Sequence, residues 1–383
     1  MKKPKVAIVH DWLYGGGAEL VVEQLHKMYP DAPIFTSYCS DEWRERLDNK
    51  VVTGYLQRWP FSKLRKFLPV LRQRWFKKLK LSGFDLVISS SGNGEAKFVL
   101  SQPTTNDQRP TKKPIHICYC HSPTHFYWRK YDEYLKNPGF KPQWLARIGL
   151  KLLLKPLQKR DYKAAQSVDY FIANSSHIQS DIKKYYHRDS VVIHPPVNTA
   201  MFTDTKRQKI KDGYGNQTPT FITWGRHVPY KRFDLAIAAC NKLGLSLIIA
   251  GGGPETEKLK KIAGPTIQFV GRVSDNELVA LAHSASAFLF PGEEDFGIAP
   301  VEAMAAGLPV IAYRSGGALD YVAEGKTGVF FEKQTVAALT ARLSSFNANP
   351  YDKAGIAKTA ERFAEDVFAS KITTAVSQSR TED

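Results

Sequence analysis

An alternation of short apolar runs with segments of helical periodicity constrains the fold of this 383-residue chain more than any other feature. The runs are rich in Val, Ile and Phe, and Gly, Pro or polar residues bound them, which is typical of buried strands. Eleven runs are candidate strands: Lys5–Val9, Phe84–Ser89, Ile115–Cys120, Asp169–Ala173, Ser190–His194, Thr220–Thr223, Leu245–Ala250, Thr266–Val270, Ala287–Phe290, Pro309–Ala312 and Gly328–Phe331. Because strands that are apolar throughout and separated by helices lie in parallel sheets covered on both faces, the pattern predicts an α/β fold.

A polar break divides this pattern into two parts. Residues 199–219 contain Gly and Lys, and a new candidate strand begins directly after them. The chain length suits two domains of roughly 150–200 residues each. We therefore predict one parallel-sheet domain over residues 1–198, a second over residues 199–350, and a C-terminal helix over residues 351–383. Ligands of such sheets bind outside the carboxyl ends of the strands, so two domains that face each other would form a binding cleft.

The cysteines give no metal-binding pattern. Cys118 and Cys120 share one face of the candidate strand Ile115–Cys120, whereas a zinc site would need C-x2-C pairs or histidines at ligand spacing. We predict core cysteines in a chain from a reducing, cytosolic compartment. The N-terminal apolar run Val6–Val9 is too short for a signal peptide, and no stretch approaches the ~18 apolar residues of a membrane span.

The net charge of +17 lies almost entirely in the first half. Residues 1–197 hold 33 Lys and Arg against 17 Asp and Glu, and residues 198–383 hold 21 against 20. Two stretches, Val51–Phe84 and Lys136–Arg160, interleave the cations with Trp, Phe and Leu. Basic amphipathic segments with aromatic residues suit an anionic membrane interface, although helices that pack their aromatics inward would show the same pattern. Nucleic-acid binding lacks support, because the chain has no zinc-finger, RNP or KH signature.

Two motifs of the first domain follow candidate strands. The loop Gly15–Glu19 follows Lys5–Val9 and opens a helical pattern, so the N–H groups of Gly16 and Gly17 could approach an anion. Its spacing is neither G-x-G-x-x-G nor a Walker loop, and a plain tight turn is the alternative. His121 follows the run Ile115–Cys120, where it could bind a substrate hydroxyl or stabilise developing charge; a structural role is the alternative.

Charged motifs of the second domain also follow candidate strands. Arg226 comes after Thr220–Thr223, with Lys231 close behind, and the two cations suit a diphosphate without a metal ion. A basic surface loop is the alternative reading of this pair. No D-x-D triplet occurs in the chain.

The strongest signal is the segment Glu294–Gly307, which follows the run Ala287–Phe290. It places Glu294 in a loop and Glu302 inside a short helix, whose first N–H groups could hold phosphates. Gly271 and Arg272 follow Thr266–Val270 and could line the same nucleotide pocket.

This segment closely resembles the E-x7-E signature of retaining GT-B glycosyltransferases of the large family 4 group. Arg226 and Lys231 are similar to the donor-diphosphate pair of that family, and the loop Gly15–Glu19 and His121 are similar to its first-domain motifs. The resemblance implies two Rossmann-like domains facing across a cleft. The first would lie on the acceptor side, the second would bind a nucleotide sugar, and the C-terminal helix would return to the first domain.

The resemblance also implies roles for individual residues. The catalytic residues would be His121, Arg226, Lys231 and Glu294. The donor-binding residues would be Gly16, Gly17, Arg226, Lys231, Gly271, Arg272, Glu294, Phe296, Gly297, Ile298 and Glu302. No metal and no cofactor besides the nucleotide sugar are implied.

A subgroup is suggested by His10–Leu13, Asp85–Ser91, Tyr119–Pro123 and Pro195–Val197, which look like mannosyltransferases that build surface polysaccharide or O-antigen. This implies GDP-mannose as donor and a lipid-linked or glycan acceptor. Together with the cysteine pattern, the basic first domain predicts a cytoplasmic protein, peripheral on the inner face of an anionic membrane. The alternatives are a UDP-sugar donor, a nucleotide-sugar epimerase on the same fold, or a scaffold. The sequence departs from the expected pattern at Asn93-Gly94-Glu95, where a histidine would follow the serine run.

Overall fold

The computed structural model describes residues 4–64, 68–92, 94–100, 113–136, 142–203 and 220–381. The chain forms two compact units. The first unit contains residues Met1–Pro195 and Ala369–Asp383, and the second contains Pro196–Phe368. The division therefore falls close to the predicted boundary after residue 198, while residues 204–219 of the predicted linker lie outside the described part of the chain.

The first unit is built on a seven-stranded parallel sheet in the order β3-β2-β1-β4-β5-β6-β7. Its strands are β1 Val6–His10, β2 Ile34–Thr36, β3 Val51–Val52, β4 Leu86–Ser91, β5 Ile115–Cys120, β6 Tyr170–Ala173 and β7 Val191–Val192. Strands β1, β4 and β5 are buried along their whole length, as strands covered on both faces must be. The strand order reverses between β1 and β4, which places a topological switch point at their carboxyl ends.

Helices cover this sheet and connect its strands. They are α1 Gly17–Met28, α2 Asp41–Arg46, α3 Phe61–Leu64, α4 Pro69–Lys77, α5 Tyr131–Lys136, α6 Gln143–Gln166 and α7 Ser176–Tyr186, with 3₁₀ turns at Tyr55–Gln57 and Ala96–Phe98. Helix α7 begins where the Ser175 hydroxyl accepts a hydrogen bond from the N–H of Ile178, an N-cap of the usual kind.

The second unit repeats the architecture with six parallel strands in the order β10-β9-β8-β11-β12-β13. The strands are β8 Thr220–Arg226, β9 Ser246–Gly252, β10 Ile267–Gly271, β11 Ala287–Phe290, β12 Val310–Tyr313 and β13 Gly328–Phe331. The order reverses between β8 and β11, which is the second switch point. Two Rossmann-like parallel sheets confirm the predicted α/β class.

The helices of the second unit are α8 Thr199–Thr203, α9 Phe233–Leu243, α10 Thr256–Ile262, α11 Asp275–Ser284, α12 Ile298–Ala305, α13 Ala318–Tyr321, α14 Val336–Ser344 and α15 Lys353–Ala360, with 3₁₀ turns at Pro229–Lys231 and Glu361–Phe363. Helix α16, Glu365–Thr381, begins in this unit and continues into the residues that group with the first unit. Helix α8 occupies part of the polar break, because the side chain of Phe202 is fully buried in the core of this unit.

The predicted C-terminal helix over residues 351–383 is two helices, α15 and α16, separated by the 3₁₀ turn Glu361–Phe363. The break has a packing cause. The Phe363 ring is buried beside Phe296 and Tyr321, and its carbonyl accepts a hydrogen bond from the N–H of Val197. Residues from Ala369 onward group with the first unit.

The thiols of Cys118 and Cys120 belong to the core of the first unit, as predicted. All four cysteines are buried and none forms a disulfide, and burial raises the pKa of Cys118 to about 12, so this thiol stays protonated at neutral pH. Within the described part of the chain, no helix has the length and apolar character that crossing a bilayer requires.

Candidate functional site

Three polar side chains meet at the switch point of the first unit. His10 ends β1, Ser90 lies near the end of β4, and His121 follows β5. The Ser90 Oγ lies 2.8 Å from His121 Nε2 and 3.1 Å from His10 Nδ1. His10 Nδ1 is also 2.8 Å from the Ser90 carbonyl oxygen. Because a carbonyl only accepts, His10 Nδ1 carries the proton, and the Ser90 hydroxyl can donate to His121.

The hydrogen bonds that link His10, Ser90 and His121 fix the orientation of the His121 ring. All three side chains are at least nine-tenths buried, so the ring has little freedom to rotate. Sequence reasoning singled out His121 but missed Ser90 and His10 as its supports. The available signal was that both are polar residues at the ends of otherwise apolar strands, on the sheet edge where His121 was expected.

A carboxylate ties the loop after β1 to the loop after β4. The two oxygens of Asp11 accept hydrogen bonds from the N–H groups of Gly92 (2.7 Å) and Ala96 (2.6 Å), and the side chain is buried. Nearby, Arg72 donates to Glu95 over 2.7 Å. Burial raises the pKa of Glu95 to about 7, against the opposing effect of Arg72. The contact between the two buried side chains makes Glu95 a structural partner of Arg72. Asn93 of the same segment lies outside the described residues.

A second buried ion pair, Lys97–Asp161, holds the segment that follows β4. Lys97 Nζ lies 2.5 Å from Asp161 Oδ1, and neither side chain is more than 1% exposed. Asp161 also accepts hydrogen bonds from Thr124, Trp128 and Tyr186 at 2.7–2.8 Å. Burial acts to lower the pKa of Lys97, but the carboxylate of Asp161 outweighs it and the pKa is raised. Lys97 is therefore a charged structural residue that joins the 3₁₀ turn Ala96–Phe98 to α6.

The glycine loop after β1 already holds a carboxylate. Glu19, in the first turn of α1, accepts hydrogen bonds from the N–H of Gly15 (3.1 Å) and of Tyr14 (3.4 Å). A Cβ atom at Gly16 would lie 3.0 Å from Glu19 Oε2, so the close approach depends on glycine there. Gly17 is the first residue of α1. The N–H groups that bind this carboxylate are those of Tyr14 and Gly15, so the donor-binding roles of Gly16 and Gly17 stay predictions.

In the second unit, Lys231 and Glu294 form an ion pair beside the carboxyl ends of β8 and β11. Lys231 Nζ lies 2.5 Å from Glu294 Oε1, and the two side chains are 13% and 17% exposed. Burial acts to lower the pKa of Lys231, but Glu294 outweighs it and the pKa is raised. A Cβ atom at Gly225 would lie 3.3 Å from Lys231 Nζ, so glycine leaves room for the ammonium group. Arg226 ends β8 with its side chain exposed.

Glu302 is positioned by a residue that sequence reasoning missed. Its Oε2 accepts a hydrogen bond from Trp224 Nε1 at 2.9 Å. The indole is 6% exposed and packs against Phe202 and Phe288. Burial raises the pKa of Glu302, and the bond from Trp224 acts in the opposite direction. The signal in the sequence was weak, because a tryptophan in an apolar strand reads as core.

The start of α12 depends on one glycine. Gly297 has a φ of +87°, and a Cβ atom there would lie 2.8 Å from the ring of Phe290. The chain turns at this residue so that α12 begins at Ile298, with no side-chain cap on its N-terminus. Phe296 was predicted to bind the donor. Its ring packs against Tyr321 in the core, and the residue is only 3% exposed.

The structure thus brings Arg226, Lys231, Glu294 and Glu302 to the β8–β11 end of one sheet. Gly271 and Arg272 lie farther along it. Gly271 ends β10 and Arg272 follows it, and β10 is separated from β8 by β9. Gly271 has a φ of +70° and both residues are exposed.

The fold and these sheet edges define the class, a GT-B glycosyltransferase fold. Two family models match in succession: Glycosyltransferase Family 4 over residues 15–201 and Glycosyl transferases group 1 over residues 204–366. The chain therefore carries a Glycosyltransferase Family 4 domain followed by a Glycosyl transferases group 1 domain.

Among curated proteins, the chain is similar to two mannosyltransferases. It is 31% identical over 193 residues to the GDP-mannose-dependent alpha-(1-6)-phosphatidylinositol monomannoside mannosyltransferase of Mycolicibacterium smegmatis, covering 45% of this chain and 50% of that protein. It is 26% identical over 290 residues to the human alpha-1,3/1,6-mannosyltransferase ALG2, covering 67% and 66%. The similarity thus spans half to two thirds of the length of these relatives.

Among solved structures, Anabaena HepE in complex with UDP has a TM-score of 0.72 at 17% identity, covering 98% of this chain and 100% of that one. Sucrose-phosphate synthase from Thermosynechococcus elongatus has a TM-score of 0.69 at 18% identity, covering 99% of each chain. At this level of identity the likeness establishes the fold.

Proposed function

We propose that this chain is a retaining glycosyltransferase that moves mannose from GDP-mannose onto a lipid-linked or glycan acceptor. The observation that carries the proposal is the cluster at the β8–β11 end of the second sheet, where exposed Arg226 accompanies the Lys231–Glu294 pair. Two cations there can neutralise a diphosphate as it leaves. Mannose as the sugar is supported by the two mannosyltransferase relatives.

The transfer breaks the bond between the anomeric carbon and a diphosphate oxygen, and its electron pair leaves with the diphosphate. The acceptor oxygen bonds to the same face of the sugar, and its proton passes to the leaving phosphate oxygen, so the configuration is retained. Arg226 and Lys231 stabilise the developing negative charge, which is commonly the largest contribution to such catalysis. We assign Glu294 to the donor sugar, Glu302 to the ribose hydroxyls, and His121 to the acceptor side.

A second donor has a specific observation in its favour. HepE, whose fold this chain shares, is described in complex with UDP-glucose. A UDP-sugar would use the same diphosphate residues, and the contacts to the base and to the sugar would differ.

The test is a thermal-shift screen with GDP, UDP, ADP and their sugars, applied to the wild type, Arg226→Ala and Lys231→Ala. Lys242→Ala is the matched control, because Lys242 is an exposed lysine of α9. We expect a selective rise with GDP and GDP-mannose in the wild type and the control. A ligand at 100 times its Kd stabilises by about 2.7 kcal/mol.

Each of the two cation variants should lose most of this shift and at least ~100-fold in turnover, because a charge-assisted contact to the diphosphate is gone. Near-normal turnover in both would contradict the diphosphate assignment. A selective response to UDP compounds would keep the reaction class and replace the donor.

A further inference from the structure

Helix α6, Gln143–Gln166, carries a continuous outward stripe that the proposed chemistry does not use. The stripe consists of Trp144, Ile148, Leu152, Lys155, Lys159 and Lys163, all of them exposed. Their spacings of four, four, three, four and four residues place them on one face of the helix. Apolar side chains occupy the first half of the stripe, and lysines occupy the second half.

The apolar side chains in the first half of the stripe are unusually exposed to solvent for a folded protein. Trp144 is 60% exposed, Ile148 48% and Leu152 72%, and the adjacent Leu145 and Leu153 are 47% and 54% exposed. The opposite face of the same helix, with Leu157, is buried against the first unit. Single exposed apolar residues are common on protein surfaces, but a contiguous apolar patch of this kind marks an interaction surface.

The basic half has no compensating acid. Helix α6 contains six Lys and Arg residues and one acid, Asp161. Asp161 is fully buried and paired with Lys97. The outward face of α6 therefore presents only positive charge.

The positive field extends beyond this helix to α4. The pKa of Lys77 in α4 is lowered by burial and by the nearby cations Arg160 and Lys163. The two basic stretches of the sequence thus come together in the fold.

We propose that this face of α6 docks on an anionic lipid bilayer, with Trp144, Ile148 and Leu152 in the interfacial layer and the lysines among the headgroups. An amphipathic helix with these features lies in the plane of the interface. A second copy of this chain is a poorer occupant, because the first half of the sequence carries 33 Lys and Arg against 17 Asp and Glu, and two such surfaces would repel each other.

The inference rests on the proposed function in one respect: the lipid-linked acceptor of the proposed reaction would lie in the bilayer on which α6 docks. Docking itself requires neither donor nor acceptor, so it can be measured separately.

The test is co-sedimentation of the whole chain with vesicles of pure phosphatidylcholine or of phosphatidylcholine with phosphatidylglycerol, at low and high salt. We expect binding to the anionic vesicles only, weakened by salt. The triple variant K155E/K159E/K163E should bind at least ~100-fold more weakly, since each lysine near an anionic surface contributes about five-fold. The variant I148E/L152E should bind at least ~10-fold more weakly, because it places charge where apolar side chains insert.

Matched controls come from the second unit. Leu319→Glu changes an apolar residue that is 53% exposed, and Lys242→Glu reverses an exposed lysine. Both should bind vesicles as the wild type does. Circular dichroism and the GDP thermal shift, which report folding and donor binding, should be unchanged in all variants, because the substituted residues are exposed.

Wild-type binding by both α6 variants would overturn the proposal. So would equal binding to neutral and anionic vesicles, or a dimer in sedimentation equilibrium that I148E/L152E converts to a monomer without any effect on lipid binding. Loss of the GDP shift in the wild type would contradict the proposed function and leave the lipid result standing.

Discussion

At the scale of single residues, Glu294 forms an ion pair with Lys231, one of the two cations that we assign to the donor diphosphate. Its carboxylate lies 2.5 Å from the ammonium group of Lys231. A diphosphate must therefore share Lys231 with a carboxylate that is already in place. We expect this competition to weaken the binding of the free nucleotide diphosphate, which is the product of the proposed reaction.

The variant Glu294→Gln tests this competition. We expect GDP to bind about five-fold more tightly, because the amide holds Lys231 less strongly than a carboxylate does. Turnover should fall, because the contact assigned to the donor sugar is weakened. Isothermal titration and initial rates would measure the two effects.

Glu293→Gln is the control for charge, since the carboxylate of Glu293 accepts from the Ser315 hydroxyl instead. Equal or weaker GDP binding by Glu294→Gln would argue against competition for Lys231.

The type of side chain decided which residues at the strand ends could be predicted as functional. His121, Arg226 and Glu294 stood out because a histidine or a charged side chain after an apolar run has few structural reasons to be there. Ser90 belongs to the serine run of β4 and Trp224 to the apolar part of β8, and their partners are 31 and 78 positions away in the sequence. Only the sheet register brings such residues together, and periodicity does not give that register.

At the scale of elements, the buried pair Lys97–Asp161 joins three segments of the first unit. Asp161 belongs to α6, Lys97 to the 3₁₀ turn after β4, and Tyr186 of α7 donates to the same carboxylate. These bonds support the loop that Asp11 holds from the other side.

Asp161→Asn should destabilise the first unit by about 3–5 kcal/mol, because it leaves a buried ammonium without its counter-charge. Adding Lys97→Met should recover part of this loss, since the uncompensated charge is then removed. Urea denaturation of the single and double variants would measure both effects.

An exposed ion pair provides the comparison. The Lys183 side chain, 64% exposed, pairs with Asp189, and Lys183→Met should leave the midpoint unchanged within error. A double variant no more stable than Asp161→Asn would contradict the buried-charge explanation.

Buried strands of four to six residues with clear boundaries could be predicted to the residue, as β5, β11 and β13 were. The short strands β2 and β3 were missed, because three and two residues carry too little pattern. The pairing of β2 with β1 and of β3 with β2 defines them. The C-terminal break between α15 and α16 was missed because the local sequence is compatible with a helix and the burial of Phe363 decides otherwise.

At the scale of the whole molecule, acid sensitivity should arise in the first unit. His116 is fully buried in β5, with its Nε2 2.8 Å from the Ser89 hydroxyl. Burial lowers the pKa of His116 to about 4, against an ordinary value of 6.5. The unfolded chain therefore binds a proton between pH 6.5 and 4 that the folded chain does not, and stability falls as the pH falls through this window.

We expect this single group to account for about 3 kcal/mol of stability at neutral pH that is lost by pH 4. The variant His116→Gln, which keeps a polar group near Ser89 but does not titrate, should lose less stability over the same window. Urea titrations of both proteins at pH 7, 6, 5 and 4 would measure the difference. A constant difference between the two proteins across these pH values would exclude His116 as the cause.

The assignment of residues 369–383 to the first unit has a practical consequence for dissecting this protein. The second unit, 196–368, is contiguous in sequence, so a gene fragment can encode it whole. The first unit is not: a fragment that stops at residue 195 omits its last segment, including the buried side chains of Ile372 and Val376. Expressing that unit by itself calls for a peptide bridge from residue 195 to residue 369.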